Sequence, residues 1–374
     1  MSRKRVVIAG LGDVGVLAAI RLSRHADVVG VCVKPGLVSG QELGVRLSRP
    51  SDWARDYWIP FDRFRRLDKV RTVQATLTGV DLAAQAVFGR RDDGSTITEH
   101  YDALVISTGV SNGFWRRPTL ESADDIGAGL RSAHDRLATA ESVIVVGGGA
   151  AAVSSALNMA TTWPDKQIHL YFPGESALDG HHPRTWKRLR DRLTARGVKI
   201  HPGHRAVLPD GFAGEEITSD PVHWSTGQPA AKADAVLWAI GRVRPNTDWL
   251  PGELLDERGF VRVTPELRVP GQKAVFAVGD VAASDPLRSS ARNRGDSLVA
   301  HNVEAELTGG RLHTYRAPTR RWGSLVGIQP NGLEVFLPTG HSFRFPLWAV
   351  ERVVMPWIVR WGMYRGVRDN NPLR

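Results

Sequence analysis

The chain has 374 residues, of which 42% are hydrophobic and 24% charged, which is the composition of a globular protein with two or three domains. Its one cysteine, Cys32, excludes an intrachain disulfide and any redox reaction that requires a pair of thiols. The net charge is +10, and most of the surplus lies in residues 311–374, which hold ten Arg, no Lys and three acids.

A glycine-rich turn follows the first apolar run of the chain. Residues 6–9 favour a strand, Gly10, Gly12 and Gly15 follow it, and residues 14–22 favour a helix. In the G-x-G-x-x-G pattern the first glycine makes the turn, the second lets the backbone approach a pyrophosphate, and the third packs helix on strand. The helix N-terminus then faces the phosphate, so this segment predicts a dinucleotide-binding unit.

The rest of the first unit is predicted as further strands and one helix. The expected strands are residues 27–33, 72–77, 83–87 and 101–109, and the last of them ends in the turn Ser107-Thr108-Gly109. Residues 34–65, rich in Arg, Pro and aromatic side chains, are expected to be irregular. A helix over residues 122–140 is expected to lead into the next unit.

A second glycine-rich turn begins 137 residues after the first. The apolar run 143–146 precedes Gly147, Gly149 and Ala152, which again have the spacing of strand, turn and helix. The pattern then predicts a helix over 151–161, a strand over 167–172, a basic helix over 183–196 and a strand over 233–241. Two such motifs in one chain predict two nucleotide-binding domains, and the usual reason to hold two dinucleotides is electron transfer between them.

The last strand of this series, residues 274–280, ends in Gly279-Asp280. Gly279 would let the chain pass close to a cofactor, and Asp280 would accept a hydrogen bond from a polyol hydroxyl. Taken alone, without the glycine turns, the pair is more typical of a simple strand-end turn. A helix is expected over residues 295–307. The alternation of strands and helices indicates parallel sheets with crossover connections.

Five motifs follow one another: the first glycine turn, Ser107-Thr108-Gly109, the second glycine turn, Ala239-Ile240-Gly241 and Phe276-Ala277-Val278-Gly279-Asp280. In this order they resemble the pyridine-nucleotide–flavin oxidoreductases with two dinucleotide-binding domains. The resemblance covers roughly residues 3–310 and points to the branch of the ferroptosis-suppressor, apoptosis-inducing-factor-like and type II NADH:quinone oxidoreductases, also through Arg244-Pro245-Asn246-Thr247. It implies an α/β fold with two Rossmann-like domains and a small C-terminal α+β region. The FAD domain would comprise residues 1–115 and 255–315, the NAD(P)H domain 116–254, and the C-terminal interface region 316–374.

The resemblance also implies where FAD and NAD(P)H bind. The positions that match FAD contacts are Gly10, Gly12, Asp13, Val14, Gly15, Arg46, Leu77, Thr108, Gly109, Gly279, Asp280 and Ala300. Among them Arg46 would contact the flavin, Leu77 the adenine through its backbone, Asp280 the ribityl chain, and the helix near Ala300 would point its N-terminus at the flavin pyrimidine. The positions that match NAD(P)H contacts are Gly147, Gly149, Ala152 and Gly241, and Asn158 would hydrogen-bond a carboxamide.

The chain departs from the family pattern at three sites. The first unit ends in Val33-Lys34-Pro35, where an acid usually binds a ribose hydroxyl. The second ends in residues 171–173, followed by a basic set that either accommodates a 2′-phosphate or forms a solvated helix face: His181, His182, Arg184, Lys187 and Arg188. Ser154 and Asn158 replace two glutamates, which puts the geometry of hydride transfer in doubt.

The chemistry requires few catalytic side chains. Hydride transfer to a flavin needs no protein nucleophile, so no catalytic acid or base is assigned. The twelve histidines show no metal-ligand spacing, and no metal is expected.

The tail, residues 346–361, favours an amphipathic helix. At about 100° per residue one face would carry Leu347, Val350, Val354, Trp357, Ile358 and Trp361. Tryptophan and flanking arginines suit a helix in a lipid headgroup region, and equally a helix docked on its own domain or on a homodimer partner. No run reaches the roughly 18 apolar residues of a spanning helix.

These observations support an FAD-dependent NAD(P)H oxidoreductase that delivers electrons to a quinone-like acceptor. We expect it in the cytoplasm, peripheral on the inner face of a membrane. One alternative is a soluble NAD(P)H-dependent reductase of a ferredoxin-type partner. Another is a flavoprotein that turns over poorly and acts by binding; a nucleic-acid partner is not expected.

Overall fold

The computed structural model describes residues 3–38, 43–111, 117–212, 216–241, 243–285, 295–317 and 319–368. Two five-stranded sheets, each covered by helices, form two α/β units, and a small sheet with a helix follows them. The predicted fold class, two Rossmann-like domains with a small C-terminal α+β region, is confirmed. The proposed residue boundaries of the domains stay a prediction.

The first sheet is entirely parallel. In spatial order its strands are β17 (Val275–Ala277), β9 (Ala103–Ile106), β1 (Arg5–Ala9), β2 (Asp27–Cys32) and β5 (Val70–Gln74). Both faces of β1 are buried: Val6 and Ile8 join one apolar cluster with helices α1 (Asp13–Leu22) and α7 (Gly295–Thr308), and Val7 and Ala9 join another. Burial on both faces explains why these strands are continuous apolar runs.

An antiparallel sheet of three strands packs beside the first sheet. Its strands are β6 (Thr76–Asp81), β7 (Ala86–Arg90) and β8 (Thr96–His100). The sequence predicted only part of this meander, because β8 alternates buried and exposed residues within a polar segment, TITEH.

The segment predicted to be irregular, residues 34–65, is mostly ordered into short elements where it is described, at 34–38 and 43–65, so for these residues the prediction was wrong; residues 39–42 lie outside the described residues. It contains β3 (Gly36–Val38), α2 (Leu43–Ser48), α3 (Pro50–Tyr57) and β4 (Trp58–Pro60), with β3 antiparallel to β4. Every residue of α2 is buried, so the helix has no polar face from which a helical period could be read. Gly44 permits this burial, since a Cβ there would overlap the backbone carbonyl of Ser154.

The second sheet has four parallel strands and one antiparallel edge strand. In spatial order they are β13 (Lys199–His201), β12 (Gln167–Tyr171), β11 (Ser142–Val146), β15 (Ala235–Trp238) and β14 (Glu216–Thr218). Its helices are α4 (Ala123–Thr139), α5 (Ala150–Thr162) and α6 (Pro183–Ala195). A capping box between Ser122 and Asp125 fixes the start of α4.

A two-stranded ladder joins the two units. Strand β10 (Val110–Ser111) follows the Ser-Thr-Gly turn of the first unit, and β16 (Arg244–Pro245) follows Gly241 of the second. Because the strands pair antiparallel, the chain segments after the two turns lie side by side.

The C-terminal region consists of a three-stranded sheet and a helix. The strands are β18 (Ile328–Gln329), β19 (Gly332–Phe336) and β20 (Ser342–Phe345). The short helix α8 (Leu347–Ala349) runs into a 14-residue helix, Val350–Met363, which we call the C-terminal helix. Within the described ranges, none of the helices has both the length and the apolar character that a membrane crossing requires.

The predicted apolar face of the C-terminal helix was wrong. Val350 and Val354 are buried, whereas Trp357, Ile358 and Trp361 are exposed. The helix is wound in wide π turns, as in the bond from the Tyr364 amide to the Val359 carbonyl at 3.0 Å, so the 3.6-residue period does not apply. The apolar residues therefore divide between an inward and an outward face.

Candidate functional site

The first glycine turn has the geometry that the motif requires. Gly10 has a φ of 101°, and a Cβ at this position would lie 2.5 Å from the carbonyl oxygen of Ser107. A Cβ on Gly15 would overlap the carbonyl of Gly10, so helix α1 can pack on the turn only through glycine. Gly12 caps α1, with nothing within 4 Å of the position its Cβ would occupy, and Asp13 begins the helix.

Three strand ends meet at this turn. Because β1, β9 and β17 are parallel neighbours, their carboxyl ends lie at one edge of the sheet. This edge brings together Gly10, Thr108-Gly109 and Gly279-Asp280. Gly109 has a φ of 67° with open space around it, and a Cβ on Gly279 would lie 3.4 Å from Val14 Cγ2.

The other predicted FAD contacts lie in three different elements. Arg46 is buried in α2, with its guanidinium carbon 4.6 Å from the centre of the Trp53 ring. Leu77 lies in β6, half-buried, two residues after Ala75, whose amide donates to the carbonyl of Cys32 at the end of β2. Ala300 is buried inside α7, in the cluster that includes α1.

The first edge fits a dinucleotide. A bare helix N-terminus, an open capping glycine and two further turns with positive φ form a cradle in which backbone amides can face a pyrophosphate. The residues that would hold FAD there are Gly10, Gly12, Asp13, Val14, Gly15, Thr108, Gly109, Gly279 and Asp280. Their individual contacts stay predictions.

The second glycine turn repeats this geometry on β11. Gly147 has a φ of 141°, and a Cβ on it would overlap the carbonyl of Ala239, after the neighbouring strand β15. Gly149 caps α5 with open space around it, and Ala152 is fully buried where helix meets strand. Gly241, with a φ of 68°, also faces open space, so the predicted NAD(P)H cradle is assembled at one edge.

Asn246 joins the two cradles. Its side-chain amide donates to the Thr108 carbonyl at 3.0 Å, its backbone amide donates to Gly109 at 3.1 Å, and the Thr108 hydroxyl donates to its carbonyl at 2.8 Å. The Ser111 hydroxyl donates to its side-chain oxygen at 2.7 Å. The sequence offered Asn246 only as part of a family motif; its role as the link between the sites comes from the fold.

Asn158 is fully buried at the contact of three elements. Its amide nitrogen donates to Ser154 at 2.9 Å and to the Val326 carbonyl at 3.0 Å. Its oxygen accepts from Arg49 at 3.0 Å and from Gln329 at 2.9 Å. The side chain thus ties α5 to the loop between α2 and α3 and to the C-terminal sheet; the predicted contact of Asn158 with a carboxamide stays untested.

The end of β12 carries an aromatic stack that sequence reasoning missed. Tyr171 lies with its ring centre 4.2 Å from His201 and 4.6 Å from Trp224. His169 stacks on His201 at 5.2 Å, and burial, with nearby cationic groups, lowers the pKa of both histidines. Neutral rings favour stacking over phosphate binding, and the signal available in the sequence was the closely spaced pairs of ring side chains at 169 and 171 and at 201 and 204.

The basic set at the start of α6 is partly engaged elsewhere. Arg188 donates to Glu334 at 2.6 Å, in a cluster where Arg192 and Arg344 bind the same buried carboxylate. His181 is buried, which together with Arg321 lowers its pKa to about 4. Neither side chain is therefore arranged as a cation for a 2′-phosphate.

Known proteins are similar to this chain in sequence and in fold. The chain is 26% identical over 378 residues to oxidoreductase ptaL of Pestalotiopsis fici, covering 94% of this chain and 95% of that one. It is 25% identical over 324 residues to ferroptosis suppressor protein 1 of Xenopus tropicalis, covering 83% of each. The structure of reduced CoADR-RHD from Bacillus anthracis superposes with a TM-score of 0.62 at 15% identity, over 84% of this chain and 59% of that one. This chain thus spans about three fifths of the length of that structure.

Residues 4–304 match the family of pyridine nucleotide-disulphide oxidoreductases. The family binds FAD and NAD(H), which are the cofactors that the two cradles fit. Its disulfide chemistry is absent here, because Cys32 is the one cysteine of the sequence. The chain belongs to the pyridine nucleotide-disulphide oxidoreductase family and is an FAD- and pyridine-nucleotide-dependent oxidoreductase.

Proposed function

We propose that this flavoprotein passes electrons from NAD(P)H to a quinone-like acceptor at a membrane surface. The observation that carries the proposal is the outward face of the C-terminal helix. Its large apolar side chains are unusually exposed: Trp357 at 66%, Ile358 at 53% and Trp361 at 49%. Trp348, nine residues before Trp357, is exposed at 62%. A contiguous apolar patch of this kind marks an interaction surface.

The inward face of the same helix is fixed to the first unit. Val359, Met363 and Tyr364 pack against the core of the first sheet, and Tyr364 meets Phe64 edge to face at 5.2 Å. Arg360 lies 3.8 Å from Asp56, in α3. The helix therefore holds a defined position beside the FAD domain, and the outward tryptophans form part of that domain's surface.

Arginines lie close to the exposed apolar residues, with one acid, Glu351, exposed on the same helix. The Arg65 guanidinium lies 5.3 Å from the centre of the Trp361 ring, and Arg352 and Arg365 are exposed nearby in the chain. Tryptophan together with arginine is favoured at the headgroup level of a bilayer, where anionic lipids attract the cations. This combination favours a membrane over a neutral apolar partner.

The protein groups would bind and orient the nucleotides. When bound in the first cradle, FAD would supply the two-electron chemistry between the nicotinamide and the acceptor. The glycine turns would hold the two pyrophosphates, and Asn246 fixes the distance between the cradles. Asn158 ties α5 to Arg49, in the loop between α2 and α3, and to the C-terminal sheet. A membrane-dissolved acceptor would approach from the C-terminal helix, and the lack of a second thiol excludes a dithiol relay within the chain.

Flotation of the holoprotein with vesicles containing about one third anionic lipid tests the membrane part of the proposal. Trp357→Ala/Trp361→Ala should lower the floated fraction at least about fivefold, since each buried tryptophan contributes roughly 2 kcal/mol. Trp322→Ala, which removes an equally exposed tryptophan outside the helix, is the matched control. Equal flotation of all three proteins would contradict the proposal, and a dimer that the double variant converts to monomer would assign the face to a second copy.

The acceptor is tested in the same variants. Reduction of a long-chain quinone held in vesicles should fall with flotation, whereas reduction of a water-soluble short-chain quinone should not change. Loss of neither activity would contradict delivery at the membrane. Absence of activity with either quinone, with NAD(P)H still bleaching the flavin, would reject the quinone class.

The charge of the C-terminal region supports a second candidate, a soluble reductase of an acidic ferredoxin-type protein. Residues 311–374 carry a net charge of +7, which would attract an acidic partner. Electron transfer to such a partner would slow steeply with salt and would not depend on Trp357 or Trp361.

A further inference from the structure

The end of β2 receives a carboxylate from a distant part of the chain. The strand ends at Cys32 and continues into Val33-Lys34-Pro35, so it lacks the acid that normally binds a ribose hydroxyl at this place. Glu121, from the segment before α4, lies here instead. Its backbone amide donates to the carbonyl of Val33 at 3.3 Å.

Gln74 fastens this segment to the sheet. Located at the end of β5, it donates through its side-chain amide to the carbonyl of Glu121 at 3.0 Å and to that of Val33 at 3.2 Å. The next residue, Ser122, is the N-cap of α4 with both bonds of its capping box present. The backbone at Glu121 is therefore fixed by the bonds to Gln74 and Val33 and by the capping box at the next residue. An exposed linker would not require these contacts.

Lys34 holds the side chain of Glu121. Its ammonium forms an ion pair with Glu121 Oε2 and donates to the Thr119 carbonyl at 3.1 Å. Oε2 is buried, while the Glu121 side chain as a whole keeps 26% exposure. Burial lowers the pKa of Lys34 to about 8, so it still carries its charge at neutral pH.

A cavity opens beside this pair, along the carboxyl ends of β2 and β5. Its volume is about 380 Å³, and its wall includes Lys34, Phe61, Asp62, Thr72 and Gln74. This is within the range of pockets that hold small ligands. Lys34 and Gln74 are the wall residues that bond to Glu121, which does not itself line the cavity. A lone lysine there would favour a phosphate, but pairing with Glu121 offsets its charge. Since Oε2 is buried against Lys34, the exposed part of the Glu121 side chain is where its second oxygen would meet a hydroxyl.

We infer that Glu121 accepts the hydrogen bond of the adenosine ribose of FAD, in place of the missing strand-end acid, and that Lys34 positions it. The inference rests on FAD binding, which the family shares, and not on the identity of the acceptor. It also explains why loss of the acid at the end of β2 is compatible with FAD in this chain, since the carboxylate reaches the same edge from residue 121.

Titration of the full-length chain, freed of flavin, tests the inference. FAD and an FAD analogue whose adenosine ribose lacks the 2′- and 3′-hydroxyls are each titrated by quenching of flavin fluorescence. Wild type should prefer FAD by about 10- to 100-fold, the range for a hydrogen bond to a charged group. Glu121→Gln, which keeps the shape of the side chain, should reduce this preference to within about threefold. Lys34→Met, which removes the residue that positions Glu121, should also lower the affinity for FAD.

The control is Asp124→Asn, which removes one negative charge from an exposed position three residues on. It should leave the preference for FAD unchanged. A Glu121→Gln protein that still discriminates against the analogue as wild type does would overturn the inference. An equal loss for FAD and analogue would also overturn it, since Glu121 would then act on folding and not on the ribose.

Discussion

The two dinucleotide units share their glycine turns but differ at the end of the second strand. Gly10 and Gly147 both have positive φ, and in each a Cβ would meet the backbone of the neighbouring strand end. Gly12 and Gly149 both cap a helix and face open space. In these features the units are nearly interchangeable.

The side chains at the ends of β2 and β12 are of different kinds. In the first unit Lys34 and Glu121 form an ion pair at the end of β2. In the second, Tyr171 at the end of β12 is stacked between His201 and Trp224. We expect the turns to bind what all dinucleotides share, the pyrophosphate, and the strand ends to meet the ribose, where nucleotides differ. The comparison indicates that cofactor identity is decided at the strand ends.

The largest expected effect comes from breaking each turn separately. Gly10→Ala should yield protein that has lost FAD affinity by about 100-fold or more, because strain at positive φ adds to a steric overlap. Gly147→Ala should keep its flavin but raise the NAD(P)H concentration needed for reduction by a similar factor. Flavin content and reduction titrations measure the two. Gly79→Ala, whose Cβ would meet only Phe88 at 3.7 Å, is the control. Loss of flavin from Gly147→Ala would contradict the expectation that the two turns bind their nucleotides independently.

Asn158→Ala should destabilise the protein by about 3 kcal/mol or more. The substitution removes hydrogen bonds that join three elements and leaves their buried partner groups without a hydrogen bond. Chemical denaturation of the holoprotein measures this. Thr161→Ala, which removes one bond within the same helix to Leu157, should cost less than about 1 kcal/mol. Equal stability of the two variants would mean that the Asn158 network is not a structural link.

His181 predicts acid sensitivity of the second unit. Burial and Arg321 lower its pKa to about 4, so between this value and its usual value near 6.5 the unfolded chain binds the extra proton. Stability therefore falls as pH falls through this window, by roughly 2–3 kcal/mol at pH 4. His181→Gln should flatten the fall seen in urea unfolding between pH 7 and 4.5, whereas His100→Gln on exposed β8 should not. An unchanged slope in His181→Gln would show that the histidine is charged in the fold.

The smallest effect is expected at Arg188. Since its guanidinium is bound to Glu334, Arg188→Met should change the ratio of NADPH to NADH efficiency by less than about twofold. Steady-state kinetics with both donors gives this ratio. A large loss confined to NADPH would restore Arg188 as a phosphate ligand and weaken the comparison of strand ends.

The sequence predicted what depends on local geometry. Gly10 and Gly147 could be recognised because a tight turn with positive φ demands glycine at fixed spacing. Helix α2 could not, since α3, α4 and α5 pack against it, all its residues are buried, and it has no polar face. The Lys34–Glu121 pair joins residues 87 positions apart, which no spacing reveals. The face of the C-terminal helix was misassigned because its π turns abandon the usual helical period.

The most direct test of the account is anaerobic stopped-flow mixing of the holoprotein with NADH and, separately, NADPH, followed by flavin absorbance. Two cradles joined through Asn246 predict two-electron bleaching at a rate that saturates with at least one nucleotide, and Gly147→Ala should abolish saturation while its flavin stays bound. Bound flavin that neither nucleotide reduces would contradict the central claim that the second unit delivers hydride to the first.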